Sequence, residues 1–264
     1  MTGDRGDWID PTRDMGWPDR VGALVTTRRG GSSPPPREEL DLGGGRDDRG
    51  RLPADVIRNR GALRASIGGM PICFLRQVHG TGVHRLERSA DAQTPEGAEP
   101  EADAAVVRCC GVAACVLAAD CLPVLLADRA GTVVAAAHAG WRGLAAGVLE
   151  RTLEAMAVPA TELSAWLGPC IGPGAFEVGP EVRAAFRAAD PEAVAGFRPG
   201  RPGRWHGDLA LLARQRLARA GVGQIGSAGI DVHADASRFY SHRRDAGRTG
   251  RQAALIWLNP RPRS

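Results

Sequence analysis

The sequence predicts an α/β domain built on mixed β-sheets. Three short apolar segments are bounded by turn residues and suit buried strands: residues 111–118, 122–127 and 132–139. Apolar residues recur at helical spacing in four other segments: 54–67, 144–156, 180–189 and 208–221. Because hairpin strands mix irregularly with helices, the pattern argues against a strict βαβ repeat. The 264 residues show no internal repeat and no clear linker, so we expect a single domain over residues 1–264.

Composition and short apolar runs predict the remaining segments. Residues 1–20 open with a polar, acidic stretch and are expected to form a loose N-terminal lead-in. Residues 88–102, rich in Ala, Glu and Pro, are predicted to form a surface loop. Short strands are predicted at residues 21–27, 72–78, 164–167 and 253–258.

Composition argues against two classes of partner. The net charge of +4 comes from 34 basic residues, all of them Arg, set against 30 acidic ones, and only 5% of residues are aromatic. Nucleic-acid-binding surfaces usually need a one-sign patch interleaved with aromatic side chains. The most apolar run, residues 112–127, is interrupted by Asp120 and Pro123, so it does not predict a membrane span. We expect neither nucleic acid nor a membrane as partner, and the sequence leaves the oligomeric state open.

Cysteine usage bears on the compartment. The chain has six cysteines, and its N-terminal stretch carries no apolar core of the kind found in signal peptides. Thiols that are not exported stay reduced, so most of the six are expected to be small buried side chains. The expected location is the cytoplasm.

The central hairpin predicts a candidate metal site. If residues 122–127 and 132–138 pair around the turn 128–131, Ala127 faces Thr132 and Cys121 faces His138. Directly opposed side chains have Cβ atoms about 4.5–5.5 Å apart, which suits a thiolate and an imidazole that bind one metal ion. A register shift of one residue would place them on opposite faces, so the prediction depends on the turn.

His79, at a strand end beside Gly80, is a candidate third ligand. Two His and one Cys leave a tetrahedral metal ion with an open fourth position, as in reactive zinc sites. The residues alone leave other interpretations open. Cys121 and His138 would equally suit a nucleophile and its base without a metal. Each His could also be a simple hydrogen-bonded residue, with Cys121 filling the core.

Three segments around these residues carry a family resemblance: residues 77–80 (QVHG), 119–124 (ADCLPV) and 138–143 (HAGWRG). Residues 167–169, 176–179, 241–244 and 249–251 extend the match, which runs from about Thr27 to Leu258. The sequence resembles the multicopper-oxidase-like laccase-domain family. Members of that family are also labelled polyphenol oxidase, purine nucleoside phosphorylase and peptidoglycan editing factor.

The resemblance implies a single layered α/β domain with mixed β-sheets flanked by helices, the laccase-domain or cytotoxic-necrotizing-factor-like fold. It also implies Zn²⁺ held by His79, Cys121 and His138. The implied reaction is phosphorolysis of adenosine, inosine or methylthioadenosine, with an adenosine deaminase side activity. Two departures stand out: Asp231-Val232 occupy a place where the family usually has Cys-Thr, and Asp41 stands where it usually has Asn.

Phosphorolysis would require an anion-binding group and an acid or electrophile near the purine. The planar fork of Arg can bind phosphate at two points. The candidates for substrate binding are Arg28, Arg142, Arg243 and Arg244, any of which could instead be a surface or ion-paired residue. Asp120 is predicted to orient a metal ligand or to act in acid–base catalysis. Trp141 is a candidate for the wall of a purine pocket.

Three alternative functions remain open from the sequence. Two His and one Cys also form the core of a blue-copper centre, although six scattered His offer few ligands for a multicopper oxidase. Copper could also occupy a zinc site adventitiously. A Cys121–His138 dyad would make a hydrolase, and a non-catalytic factor in cell-wall synthesis would use the three ligands as a structural clip.

Overall fold

The protein is represented by a computed structural model that describes residues 7–43, 45, 51–92 and 98–260. Its α-helices are Thr12–Met15 (α1), Ala54–Ser66 (α2), Trp141–Ala146 (α3), Val148–Met156 (α4), Pro180–Ala189 (α5) and Leu209–Arg219 (α6). Its strands are Val21–Val25 (β1), Ile72–Cys73 (β2), Val83–Leu86 (β3), Ala104–Val107 (β4), Ala113–Ala118 (β5), Leu122–Asp128 (β6), Val134–Ala139 (β7), Leu163–Leu167 (β8), Glu177–Val178 (β9), Phe197–Pro199 (β10), Trp205–Gly207 (β11), Gln224–Ser227 (β12) and Gln252–Leu258 (β13). Short 3₁₀ segments occupy Ser89–Ala92, Ala160–Glu162 and Pro191–Gly196.

Two sheets carry most of the fold. One has six strands in the order β12-β8-β6-β7-β4-β3, and the other has four in the order β1-β13-β5-β2. A third sheet has the order β10-β11-β9. Strand β6 pairs antiparallel with β7 and β8, whereas β12 pairs parallel with β8 and β3 pairs parallel with β4. The predicted α/β class with mixed sheets is therefore confirmed.

Alternating side chains of β6 show how the layers stack. Leu125 packs between the two large sheets with Val116 of β5 and Ile256 of β13. Its neighbours Val124 and Leu126 point to the opposite face, where they join a cluster with apolar residues of α4, α5 and α6. A further cluster packs α2 against the outer face of the four-stranded sheet. The resulting order is α2, four-stranded sheet, six-stranded sheet and helices.

The central hairpin has a different register from the predicted one. Ala127 pairs with Val134, and Pro123 pairs with His138, so the predicted pairing of Ala127 with Thr132 is wrong by two residues. The side chain of Asp128 explains the longer turn, because it accepts hydrogen bonds from the backbone N–H of Thr132 (2.6 Å) and Val133 (2.9 Å). A slip of two residues keeps every side chain on its own face. Cys121 is therefore a diagonal neighbour of His138 and not its direct partner.

The N-terminal segment differs from the predicted loose lead-in. Residues 1–6 lie outside the described part of the chain. From there on, Ile9 pairs with Val25, and the side chains of Met15 and Trp17 are buried. The indole N–H of Trp17 donates a hydrogen bond to Ser164 Oγ (2.6 Å). Residues 9–17 are thus packed, because two large apolar side chains find places in the core.

Other boundaries shift in ways that matter for the site. The predicted helix 144–156 begins earlier, at Trp141, and is divided at Gly147, whose φ is +100°. The predicted strand 72–78 ends at Cys73. The predicted loop 88–102 contains the 3₁₀ turn Ser89–Ala92, and its residues 93–97 lie outside the described part. Within the described ranges, none of the helices has both the length and the apolar character needed to cross a membrane.

Leu125→Ala should lower the free energy of unfolding by about 2–5 kcal/mol, because it leaves a cavity between the two large sheets. The measurement is chemical denaturation followed by circular dichroism. Leu211→Ala, on the half-exposed face of α6, is the control and should change the same quantity by less than about 1 kcal/mol. Equal effects of the two substitutions would contradict the layer assignment.

Candidate metal centre

His79, Cys121 and His138 meet at one end of the central hairpin. Each offers one ligand atom, and the three atoms lie within 4.8 Å of one another. Cys121 Sγ is 3.8 Å from His79 Nε2, and the two imidazole rings stand edge to face with centroids 4.9 Å apart. His138 is buried, Cys121 is half-buried and His79 is exposed. The three residues predicted from the sequence are thus together, with one side closed by protein and one side open.

Two backbone positions with positive φ present these ligands. His79 has φ +61°, and Asp120, just before Cys121, has φ +96°. Residues other than glycine rarely adopt this region, and doing so costs of order 1–3 kcal/mol unless the surroundings stabilise it. A carboxylate holds each position. Asp103 binds the backbone around His79, and Asp120 accepts hydrogen bonds from Ser241 Oγ and the Arg243 N–H, both at 2.6 Å.

Asp103 is the residue that joins the ligands to the fold. Its fully buried carboxylate accepts a hydrogen bond from His138 Nδ1 at 2.9 Å. It also accepts the backbone N–H groups of Val78 (3.1 Å), His79 (2.9 Å) and Gly80 (2.7 Å). Since Nδ1 of His138 is engaged by a carboxylate, Nε2 is the ring nitrogen that is free to bind a metal.

Gly140, which follows β7, leaves the space between the ligands open. A Cβ atom at this position would lie 2.8 Å from His79 Cδ2, 3.0 Å from Cys121 Sγ and 3.5 Å from His138 Cε1. A side chain would therefore enter the space that the three ligand residues surround. This cradle, with one thiolate and two imidazoles, suits a tetrahedral transition-metal ion.

The charges of the cluster favour a thiolate. Burial opposes ionisation of Cys121, but the neighbouring His138 and His79 outweigh it and lower the pKa of the thiol. Burial also opposes protonation of His138, yet the Cys121 thiolate and the Asp103 carboxylate raise the pKa of that imidazole. Burial likewise opposes ionisation of Asp103, and hydrogen bonds from His138, Gly80 and Val78 hold its pKa below the ordinary value. A metal ion or a nucleophilic reaction would both use this thiolate.

A cleft of about 630 Å³ opens in front of the cluster. All three ligands line it, and so does Asp120, the single carboxylate among the described lining residues. Phe176 supplies an aromatic wall. The cationic side chains of the lining are Arg60, Arg76, Arg142, Arg243 and Arg251. Arg60 pairs with Glu99 and Arg76 pairs with Glu101. The charges of Arg142, Arg243 and Arg251, which have no ion-pair partner in the described ranges, favour an anionic ligand.

Two predicted arginines lie in the cleft. Arg142 is exposed, and its guanidinium lies over the Trp141 ring, 4.6 Å from the centroid. Arg243 Nη1 donates to the carbonyl oxygens of Ala175 (3.1 Å) and Glu177 (3.0 Å). No ion-pair partner of either residue occurs within the described ranges. Both charges therefore remain available to an anion.

The other two predicted arginines lie elsewhere. Arg28 pairs with Glu38 and lies over the Tyr240 ring, outside the cleft lining. Arg244 makes a two-pronged ion pair with Asp245, and it also donates to backbone carbonyls that include those of Val232 and Phe239. These contacts use the guanidinium to hold the 232–245 segment together. Neither Arg28 nor Arg244 is among the described residues that line the cleft.

Sequence reasoning missed several residues of the site. Asp103 stands just before a strand and follows Glu99 and Glu101, and nothing in these neighbours marks it as a partner of His138. Gln77 exchanges hydrogen bonds with the backbone of Leu117 in both directions, at 2.8 Å each, and so ties the His79 loop to β5. Arg251 also lines the cleft, and it belongs to residues 249–251, which match the family pattern. That match was the sequence feature from which its place in the site could have been predicted.

The sequence is similar to that of known proteins over nearly its whole length. Residues 22–259 match the family model described as multi-copper polyphenol oxidoreductase laccase. The chain belongs to this laccase family. A purine nucleoside phosphorylase of Pseudomonas aeruginosa is 48% identical over 252 residues, which cover 95% of this chain and 98% of the relative. The purine nucleoside phosphorylase YfiH of Escherichia coli is 46% identical over 243 residues, 91% of this chain and 95% of the relative.

Solved structures share the fold of this chain. A Neisseria meningitidis protein superposes with a TM-score of 0.87 at 44% identity, covering 96% of this chain and all of that one. YlmD from Geobacillus stearothermophilus has a TM-score of 0.81 at 30% identity, with 92% and 93% of the two chains covered. Both expectations drawn from the resemblance, family and fold, are confirmed.

The two departures from the family pattern have local explanations. Asp231 Oδ1 accepts the backbone N–H groups of Gly172 and His233, both at 2.9 Å, so this carboxylate fastens the 168–174 loop to the following turn. The buried Asp41 accepts the N–H groups of Gly43 and Arg251, both at 2.9 Å, and pairs with Arg37 at 2.6 Å. Both side chains act on backbone geometry beside the cleft.

Asp103→Asn should weaken zinc binding by about 10–100-fold, because the amide is a poorer acceptor for His138 Nδ1–H and for the 78–80 backbone. Competition with a chromophoric chelator measures this affinity. Asp91→Asn is the control, since Asp91 also accepts two backbone N–H groups but lies on the Ser89–Ala92 turn. Unchanged zinc affinity in Asp103→Asn would refute the assigned role of Asp103.

Gly140→Ala should weaken zinc binding by about tenfold or more, because the added methyl group would crowd the thiol and the His79 ring. The control is Gly174→Ala, where a new Cβ atom would meet nothing within 4 Å. Zinc content after dialysis against a weak chelator measures the difference. A Gly140→Ala protein that keeps its full zinc content would show that the ion binds elsewhere.

Proposed function

We propose that the chain is a zinc-dependent purine nucleoside phosphorylase. The observation that carries the proposal is the open His79–Cys121–His138 cluster at the base of an arginine-lined cleft. Relatives named purine nucleoside phosphorylases, 46–48% identical over nearly the full chain, support it. Adenosine, inosine and methylthioadenosine are the proposed nucleosides.

The reaction sets clear demands on the cleft. A phosphate oxygen forms a bond to C1′ of the sugar while the C1′–N9 bond breaks and its electron pair passes to the purine. The products are the sugar 1-phosphate, which is ribose 1-phosphate from adenosine or inosine, and, after a proton is taken up, the free base. The transition state carries positive charge on the sugar and negative charge on the base. The site must therefore hold phosphate beside C1′ and stabilise the purine as it leaves.

Arg142 and Arg243 meet the first demand. Both line the cleft, and neither charge is neutralised by a carboxylate in the described part of the chain. The backbone of Arg243 is fixed by Asp120, and its guanidinium is fixed by the carbonyl oxygens of Ala175 and Glu177. Such fixed donors need little reorganisation when phosphate binds. In this proposal Asp120 positions Arg243, because both of its carboxylate oxygens already accept hydrogen bonds.

The second demand falls on the metal ligands and on the aromatic part of the lining. Zn²⁺ held by His79, Cys121 and His138 would supply a Lewis acid, and a water bound there would account for the adenosine deaminase side activity that we also propose. His79 is the exposed ligand and borders the open face. Among the described residues Phe176 lines the cleft and Trp141 does not, so we propose that the purine contacts the Phe176 side chain, which is largely buried beside the Arg243 guanidinium.

One observation favours a second candidate function. The low pKa of Cys121 and the raised pKa of His138 are also the properties of a nucleophile and its partner in a cysteine hydrolase. Chelation separates the two functions, since a dyad would keep its activity without metal. A copper oxidase is less well supported, because the part of the chain that the structure describes holds a single cluster of three potential metal ligands.

The state of the cysteines bears on the compartment. All six cysteines are free thiols, which fits a reducing compartment, and we propose that the protein works in the cytoplasm. The proposed partners are a purine nucleoside and phosphate.

Zinc-loaded protein should release the free base from adenosine or inosine only when phosphate is present, with ribose 1-phosphate as the second product. Liquid chromatography of base and sugar phosphate measures both. Cys121→Ser should lower the rate by at least about 100-fold, since it removes a metal ligand. Cys109→Ser, a half-exposed thiol outside the cleft, should leave it unchanged.

Chelator should abolish the activity, and added zinc should restore it. Phosphate-independent release of base that survives chelation would favour the hydrolase. Oxygen uptake with a phenol, in protein loaded with copper, would favour the oxidase. Absence of base release from every purine nucleoside, with the zinc site filled, would overturn the proposed function.

A further inference from the structure

A second, smaller pocket adjoins the cleft. It has a volume of about 380 Å³ and shares two lining residues, Gly43 and Arg251, with the cleft. The other lining residues are Pro36, Arg37, Gly45, Gly247, Arg248 and Thr249. The described lining contains three arginines and no carboxylate. We call it the side pocket.

Arg251 stands at the boundary between the two spaces. A Cβ atom on Gly43 would lie 2.3 Å from Arg251 Cγ, so the aliphatic part of Arg251 rests against this glycine. The guanidinium donates through Nη1 to the carbonyl oxygens of Thr249 (3.3 Å) and Gly250 (2.9 Å). Carbonyl groups orient a guanidinium but do not neutralise it. The charge of Arg251 therefore acts on both spaces.

The other two arginines differ in their surroundings. Arg248 is exposed and forms no ion pair within the described ranges. Arg37 Nη1 is 2.6 Å from Asp41 Oδ2, and its Nη2 is 3.8 Å from Asp55 Oδ2. Because the Asp41 side chain is fully buried behind Arg37, it is not presented to a ligand in the pocket. Arg248 also borders a separate space lined by Glu38 and Asp245. Within the described residues the lining of the side pocket is thus cationic, and neither Arg248 nor Arg251 forms an ion pair there.

Backbone geometry leaves room for an anion at this place. Gly45 is the lining glycine at which a Cβ atom would meet nothing within 4 Å, whereas a Cβ atom would meet Arg251 at Gly43 and His242 at Gly247. A ligand can approach the backbone closely where no Cβ atom stands in the way. Guanidinium groups bind phosphate oxygens through charge-assisted hydrogen bonds, and they can do so at two points.

We propose that the side pocket binds a phosphate group, either as the free ion or as the phosphate ester of a nucleotide whose sugar and base lie in the cleft. The nucleotide form of this inference rests on the proposed function, because it assumes that the cleft accepts a nucleoside. Binding of the phosphate group itself depends only on the charges and shape of the pocket.

The test is calorimetric titration of zinc-loaded protein with adenosine, adenosine 5′-monophosphate and inorganic phosphate in buffer of low ionic strength. The monophosphate should bind about tenfold more tightly than adenosine, as expected for one added charge-assisted contact. Arg248→Ala should remove most of that difference and leave adenosine binding unchanged. Arg248→Lys, which keeps the charge, should retain part of it.

Two controls define the specificity. Arg187→Ala removes an exposed arginine of α5 far along the chain from this pocket and should change none of the three affinities. Raising the salt concentration should lower the affinity for the monophosphate more than the affinity for adenosine, because salt screens the interaction between exposed charges.

The outcomes separate this inference from the proposed function. If Arg248→Ala lowers the affinity for inorganic phosphate, but the unsubstituted protein binds the monophosphate no more tightly than adenosine, the pocket binds the free ion. If Arg248→Ala leaves the affinities for both phosphate and monophosphate unchanged, the side-pocket inference is overturned, whether or not the enzyme cleaves nucleosides. If phosphate binding depends on Arg248 but no base is ever released, the proposed function fails and the side pocket stands.

Discussion

The carboxylate of Asp103 is the constraint on which the metal centre depends. It lies fully buried beside the paired ends of β4 and β7, and its two oxygens serve His138 and three successive backbone amides. Leaving a buried carboxylate without partners would cost several kcal/mol, so these four donors are required by its burial. One ligand comes from a strand and another from a loop with a positive φ. A single charged group fixes their relative position, and the hydrogen bonds between Gln77 and Leu117 add a second link from the loop to β5.

A second carboxylate, that of Asp120, plays the same part for the backbone before Cys121. Asp120 has a positive φ immediately before Cys121, and its carboxylate accepts from Ser241 and Arg243. The third ligand and a cationic side chain of the cleft are therefore held by one residue. Metal ligands and arginines occupy fixed relative places because each carboxylate links two segments that are distant in sequence. This coupling explains how an open cleft can be built from loops and still be preorganised.

The sequence was sufficient for the pattern of the fold and insufficient for its long-range contacts. Periodicity and turn residues located α5 at 180–189 and placed β6 and β13 within one residue. The hairpin register was wrong by two residues, because the side chain of Asp128 enlarges the turn in a way that turn length does not reveal. Since side chains alternate with a period of two, the error left Cys121 and His138 on one face. Asp103 was missed for a different reason, namely that its partners lie 23 to 35 residues away in sequence. The short strands β9 to β12 have too few residues to carry a periodic signal.

The four candidate arginines show what the sequence alone could not predict. By residue type Arg28, Arg142, Arg243 and Arg244 are equivalent, and the sequence could not rank them. The structure separates them by what neutralises each charge: Glu38 and Asp245 pair with Arg28 and Arg244, whereas Arg142 stacks on a ring and Arg243 donates to carbonyls. An arginine paired with a carboxylate would have to give up that partner before it bound phosphate, and the free energy of the lost pair would be subtracted from the affinity. An arginine oriented only by carbonyls or by an aromatic face keeps its charge for the ligand.

The donor set of the metal centre is compatible with zinc, copper or a thiolate nucleophile, so the ligands alone do not select a reaction. The arginines without a carboxylate partner in the described ranges support the proposed function, because a cleft that can hold an anion beside the ligands suits phosphorolysis better than the oxidation of a neutral phenol.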